Sequence, residues 1–130
     1  MTPRLILASS SPRRRDLLAQ IGVIPDDIRS PDIDEVPRKG ELPRPYAERM
    51  ASEKALAVPR SQDEVILAGD TTVAVGRRIL PQAASEADVT RFLRLLSGRR
   101  HRVYSCISVI DASGTQRTRC AASQVRFKQL

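Results

Sequence analysis

An α/β domain built on a mixed sheet is what this chain predicts, and three features carry the expectation. A compact apolar run, Arg4 to Ala8, leads at once into a helix start. A second apolar run, Val65 to Val75, follows a segment of helical periodicity. Near the C-terminus two strand-like segments are joined by a short turn at Ala112-Ser113-Gly114. Helices interleaved with strands, closed by an antiparallel pair, give a mixed sheet with helices packed against it. At 130 residues the chain has material for one domain with its own core and too little for two.

Taken in order, Arg4 to Ala8 (RLILA) reads as a buried strand. Ser9-Ser10-Ser11-Pro12 then starts a helix, with Ser11 suited to the N-cap and Pro12 to the first helical position. Leu17, Leu18 and Ile21 give that helix an apolar face, and Gly22 closes it. From Ile24 to Pro43 the chain is rich in Pro, Asp and Arg, which predicts loop with room for one short strand. A second helix is expected from about Pro45 to Val58, carrying Ala47, Met50, Ala51 and Ala55 on its inner side, with Pro59 beyond its end. Val65 to Val75 (VILAGDTTVAV) predicts a strand interrupted at Gly69-Asp70, and Gly76-Arg77-Arg78 a turn. Ser85 with Asp88 marks a third helix, where Val89, Phe92, Leu93 and Leu96 recur at helical spacing until Gly98. Arg102 to Asp111 and Thr115 to Leu130 complete the order as two strands.

Composition narrows the function classes. With 41% apolar and 28% charged residues, the chain is neither a disordered tail nor a fibre. No run approaches the roughly 20 apolar residues that span a bilayer, and Leu5 to Ala8 is too short for a signal peptide. Cys106 and Cys120 form no close motif, so reduced thiols in a cytoplasmic protein are expected. The single histidine, His101, argues against a His-rich metal cage. A net charge of +7 favours a polyanionic partner such as nucleotide phosphates or nucleic acid. Four aromatics (Tyr46, Phe92, Tyr104, Phe127) are poor material for base stacking, which counts against a nucleic-acid partner.

Four segments carry chemistry. In Leu7 to Arg15 (LASSSPRRR) a strand delivers three hydroxyls and then a helix N-terminus bearing three arginines. Free amides of a first helical turn bind anions, and arginines add charge-assisted hydrogen bonds to phosphate. Those arginines sit at the wrong end of the helix dipole unless an anion compensates; the alternative is a capped helix with a solvated arginine run. Asp70 falls inside an apolar strand, where a carboxylate needs a metal or a basic partner. Placed beside a phosphate cradle it can hold Mg²⁺ or orient water; the alternative is an aspartate in a bulge next to Gly69. Asp32-Ile33-Asp34-Glu35 is an acidic cluster or a solvated loop. Lys54, on the second helix, reaches into a cleft or serves as an exposed i, i+4 partner.

Together these segments resemble the Maf family of nucleoside triphosphate pyrophosphatases. Leu5 to Leu18 (LILASSSPRRRDLL) is similar to the family's opening motif, and the likeness continues through Asp32 to Glu35, Glu53 to Ala55, Gly69-Asp70-Thr71 and Leu95 to Val103. The resemblance implies an α/β fold with a nucleotide cleft and hydrolysis of a nucleoside triphosphate to monophosphate and pyrophosphate. It implies a divalent cation, Mg²⁺ or Mn²⁺, with Glu35 and Asp70 as its ligands, and a homodimer. Asp70 then matches the general base, Ser9, Arg13 and Arg14 the phosphate-binding opening, and Lys54 a further active-site charge. Arg13 and Thr71 resemble the branch acting on dTTP and UTP.

Two departures accompany the likeness. Pro81-Gln82-Ala83 stands where the family has Gly-Lys-Pro, so Gln82 is expected to bind phosphate without charge. Family members continue past the segment matching Val125 to Lys128, so residues 1–130 are expected to form a single domain incomplete at its C-terminus, with impaired turnover. Two alternatives stand beside the enzyme: a nucleotide-binding remnant of little turnover, and a basic nucleic-acid-binding module.

Overall fold

The computed structural model describes residues 3–80, 94 and 100–126. The elements are β1 (Arg4–Ala8), α1 (Pro12–Gln20), β2 (Asp27–Arg29), α2 (Pro43–Ala57), β3 (Glu64–Val75), β4 (Arg78–Leu80), β5 (Arg100–Ile110) and β6 (Gln116–Arg126). One mixed sheet runs β2-β1-β3-β5-β6, and β4 pairs with β3. β1 lies parallel to both β2 and β3, and every other pairing is antiparallel. The expected third helix, Ser85 to Gly98, falls outside the described residues except at Arg94, which is helical.

α2 covers one face of the sheet, and its sequence shows why. Ala47, Met50, Ala51 and Ala55 recur at helical spacing and are fully buried. Their small side chains bring the helix close to Ile6, Ile66, Ala68 and Ile110 in one cluster and to Ala74, Tyr104 and Cys106 in the other. Polar groups also seat the helix: Ser52 Oγ hydrogen-bonds Thr118 Oγ1, which donates to the fully buried Ser108 Oγ. α2 begins two residues before the expected Pro45, because proline is tolerated throughout a first helical turn.

α1 lies by the opposite face, since Leu7, Leu67 and Gly69 line a cleft with its Arg14 and Leu17 while Ile6 and Ala68 face α2. Its apolar side is open rather than covered: Leu17 is 53% and Ile21 74% exposed. Gly22, with φ +80°, ends α1 as expected, its amide donating to the Ala19 carbonyl.

Three expectations are corrected. β3 is continuous, with Gly69 and Asp70 in register against Ile107 and Cys106, so neither a break nor a bulge occurs there. A Cβ at Gly69 would make ordinary van der Waals contacts, 3.4 Å from the Cys106 carbonyl oxygen and 3.7 Å from Arg14 Nε. The expected turn holds at Gly76-Arg77, but Arg78 already opens β4, because Gly76 at φ +59° closes a two-residue hairpin. Cys106 and Cys120 are disulfide-bonded, not reduced. The β5–β6 hairpin sets them directly opposite one another with Cα atoms 4.1 Å apart, which linear spacing alone does not reveal.

Truncating Ile66, fully buried between β1 and β5, is expected to cost about 2–5 kcal/mol as Ile66→Ala. Ile24→Ala, at a position 81% exposed, should stay within about 0.5 kcal/mol of the parent. Urea denaturation midpoints of the two variants check the contrast.

Candidate active site

β1 hands the chain to β2 on one side and, through α2, to β3 on the other, with the intervening helices on opposite faces. Such a switch point opens a crevice beyond the carboxyl ends of the two parallel strands, where open α/β sheets bind ligands. Ser9 leaves the end of β1 at that point, and β3 runs on past β1 to present Asp70. Two clefts meet there. One, of about 330 Å³, is lined by Ser9, Ser10, Ser11, Arg14, Glu35 and Lys54. The other, of about 370 Å³, is lined by Glu35, Tyr46, Asp70, Thr71, Thr72 and Leu80.

Lys54 joins the clefts. Its Nζ lies 3.1 Å from Asp70 Oδ1 and 3.1 Å from Glu35 Oε1. Both Lys54 and Asp70 are buried, Asp70 at 7% exposure, so each charge depends on the other for compensation. Lys54 is therefore no exposed helix-face partner. It stands in the last turn of α2, where the helix dipole also favours a cation. The second Asp70 oxygen, Oδ2, accepts a hydrogen bond from Thr72 Oγ1 at 2.6 Å.

The phosphate-like corner differs from expectation in one detail. Ser11 occupies the N-cap position but makes no side-chain cap. The Ser11 amide instead donates to Ser9 Oγ at 3.0 Å, a contact that orients the buried Ser9 hydroxyl. No acidic side chain stands in the first turn of α1, so the positive helix end faces the cleft with Arg14.

Glu35 arrives from an irregular segment, and α2 holds that segment in place. Tyr46 donates its hydroxyl to the Glu35 carbonyl oxygen. Burial first, then the Asp70 and Glu35 charges, push the Tyr46 phenol up to about 12, which keeps it a donor. Arg49 grips Glu41 bidentately at 2.7 Å, Glu53 at 2.8 Å and the Val36 carbonyl at 3.3 Å. Hydrogen bonds from Arg49, set against partial desolvation, hold Glu41 down at about 2. Of the acidic cluster, Glu35 reaches Lys54, whereas Asp34 turns back to accept the Val36 amide and Asp32 is exposed.

The structure thus brings together Ser9, Arg14, Glu35, Lys54 and Asp70, with Thr71 at the rim. Arg13 is exposed in the first turn of α1 and lines neither cleft. Gln82 lies outside the described residues. Two site residues carry no motif in the sequence, Thr72 and Tyr46. Thr72 was legible in principle, since residues two apart on a strand share a face with one another; Tyr46 was not, because its partner is a loop carbonyl.

A mixed α/β sheet that gathers Ser9, Arg14, Glu35, Lys54 and Asp70 at its switch point has the crevice in which open α/β sheets bind ligands. The family profile described as Maf-like protein matches residues 4–130, and the chain belongs to the Maf family. A dTTP/UTP pyrophosphatase of Sphingopyxis alaskensis is 59% identical over 128 residues, covering 98% of this chain and 67% of that protein. One from Roseobacter denitrificans is 64% identical over 104 residues, covering 80% and 55%. The chain thus spans between 55% and 67% of the length of these two relatives. Among solved structures, a HAM1 protein from Coxiella burnetii matches with TM-score 0.56 at 15% identity, covering 94% of this chain and 71% of that one. A dITP/XTP pyrophosphatase from Mycobacterium abscessus matches at 0.54 and 17%, covering 92% and 70%. Both show the same fold.

The Arg49–Glu41 clasp predicts an acid sensitivity. A carboxyl depressed in the folded state stabilises it above the ordinary value of 4.5, and that contribution is lost as pH falls toward about 2. Glu41→Gln should flatten the loss of stability between those limits, measured by denaturant unfolding at a series of pH values.

Proposed function

We propose that the chain hydrolyses a nucleoside triphosphate, dTTP or UTP, to the monophosphate and pyrophosphate. The observation that carries this is the Lys54 ammonium held between Glu35 and Asp70 where the Ser9–Arg14 cradle opens. The relatives named dTTP/UTP pyrophosphatase supply the choice of base.

Glu35 and Asp70 fit a divalent cation, Mg²⁺ or Mn²⁺, because both are hard oxygen donors already directed at one positive charge. Among the described residues no group of three or more His, Cys, Asp or Glu side chains is placed to hold an ion alone. The two carboxylates would therefore share the cation with phosphate oxygens of the substrate. When bound, it neutralises charge on the triphosphate.

The chain's own groups do the rest. Ser9, Arg14, Lys54 and the first-turn amides of α1 receive the phosphates. Asp70 orients a water and accepts its proton as oxygen attacks the α-phosphorus; the bond to the bridging oxygen breaks and pyrophosphate leaves. Thr71 stands at the cleft rim to meet the nucleoside.

A homodimer is supported by the exposed Leu17, Ile21 and Ile107, which line one cleft against the sheet and which a second copy would bury. Sedimentation equilibrium against the 14.4 kDa chain mass reads that state. No helix among the described residues is long and apolar enough to cross a membrane. A cytoplasmic place is supported by the nucleotide substrate and no longer by free thiols.

Pyrophosphate release from dTTP and UTP with Mg²⁺ is the direct test. Asp70→Asn should lower kcat by about 10²–10⁴-fold, the usual contribution of a positioned general base. Turnover insensitive to that change removes Asp70 from the role, and saturable nucleotide binding without turnover assigns the chain to binding alone.

A further inference from the structure

Asp70 is held at both carboxylate oxygens, and its two holders differ in kind. Lys54 Nζ lies 3.1 Å from Oδ1 but is shared with Glu35, and an ammonium on a flexible stem attracts without dictating orientation. Thr72 Oγ1 donates to Oδ2 at 2.6 Å from a β-branched side chain with restricted χ1. Thr72 and Asp70 stand two residues apart on one face of β3, and the backbone of each is paired, opposite Tyr104 and Cys106 respectively. Both are buried, so the hydroxyl is screened from bulk water that would compete for its proton.

We infer that Thr72 is a positioning residue that sets the rotation of the Asp70 carboxylate. The inference rests on Asp70 acting as the proton acceptor. With one lone pair of Oδ2 taken by Thr72 and one of Oδ1 by Lys54, the remaining pairs are the ones Asp70 offers the cleft it lines. Thr72 acts through Asp70, and its γ-methyl serves only to lock the rotamer. Loss of the hydroxyl frees the carboxylate to rotate, and misplacement of a reacting group by about 1 Å can slow chemistry on the order of 10²-fold.

Valine has the shape of threonine without the donor, so Thr72→Val separates the hydrogen bond from packing. The expected result is kcat lowered by roughly 10- to 100-fold, with KM for dTTP changed by less than about twofold. Thr72→Ser, which keeps the hydroxyl, should recover kcat to within about threefold of the parent. Thr72→Ala provides the donor-free control should the valine variant fold poorly. In the nucleotide-free protein the Thr72 hydroxyl proton should appear as a slowly exchanging ¹H resonance that is lost in Thr72→Val. Parent-like kcat in the donor-free variants overturns the inference while leaving the role of Asp70 intact. So does a proportional rise in KM, an equal loss in Thr72→Ser, or absence of the hydroxyl resonance from the parent. A parent chain with no Asp70-dependent release of pyrophosphate overturns the underlying assignment instead.

Discussion

The buried contact between Lys54 and Asp70 is the constraint around which the site is arranged. Neither charge is tolerable alone at that depth: removing one partner of a buried pair typically costs about 3–5 kcal/mol, because the other is left uncompensated. The pair therefore ties α2 to β3, and through Glu35 it also ties both to the irregular segment ahead of α2. A polar interaction placed this way adds little net stability over an apolar core. What it supplies is a site in which two carboxylates and one ammonium are oriented before any ligand arrives, the condition for electrostatic catalysis.

That arrangement depends on how closely α2 approaches the sheet. Ala47, Ala51 and Ala55 present little more than backbone to β3 and β5, so Lys54 on the same helix spans the remaining gap with its stem. β3 is the second half of the device. Its period of two sends Asp70 and Thr72 to the α2 face and Gly69 and Thr71 to the other, so one strand serves both sides of the crevice. Gly69 lies on that second face, beside Arg14.

Glu35 shows how a loop residue acquires the precision of a strand residue. Nothing in its own segment is regular, yet Tyr46 holds its carbonyl and Arg49 holds Val36 and Glu41 nearby. Both clamps come from α2, the helix that also bears Lys54. The disulfide between Cys106 and Cys120 extends the same row across β5 and β6, directly beyond Asp70.

Much of this was legible residue by residue. The strand at Arg4 to Ala8, the helix starting at Pro12, the inner face of α2 and the hairpin around Ser113 follow from periodicity and turn chemistry, which act over a few residues. The hydroxyls and arginines from Ser9 to Arg15 suggested an anion site for the same local reason, whereas Asp70 and Lys54 each left a purely structural alternative open. What the linear order left undecided were relations between segments distant in the chain. These include the continuity of β3 through Gly69-Asp70, the short β4 and the meeting of the two cysteines. They also include the choice of Glu35 over Asp32 and Asp34, and the exposure of Arg13. A local pattern sets which way a side chain points from its own backbone. Which group it meets is decided by sheet register and by how close α2 packs, and both arise only when the whole chain is folded.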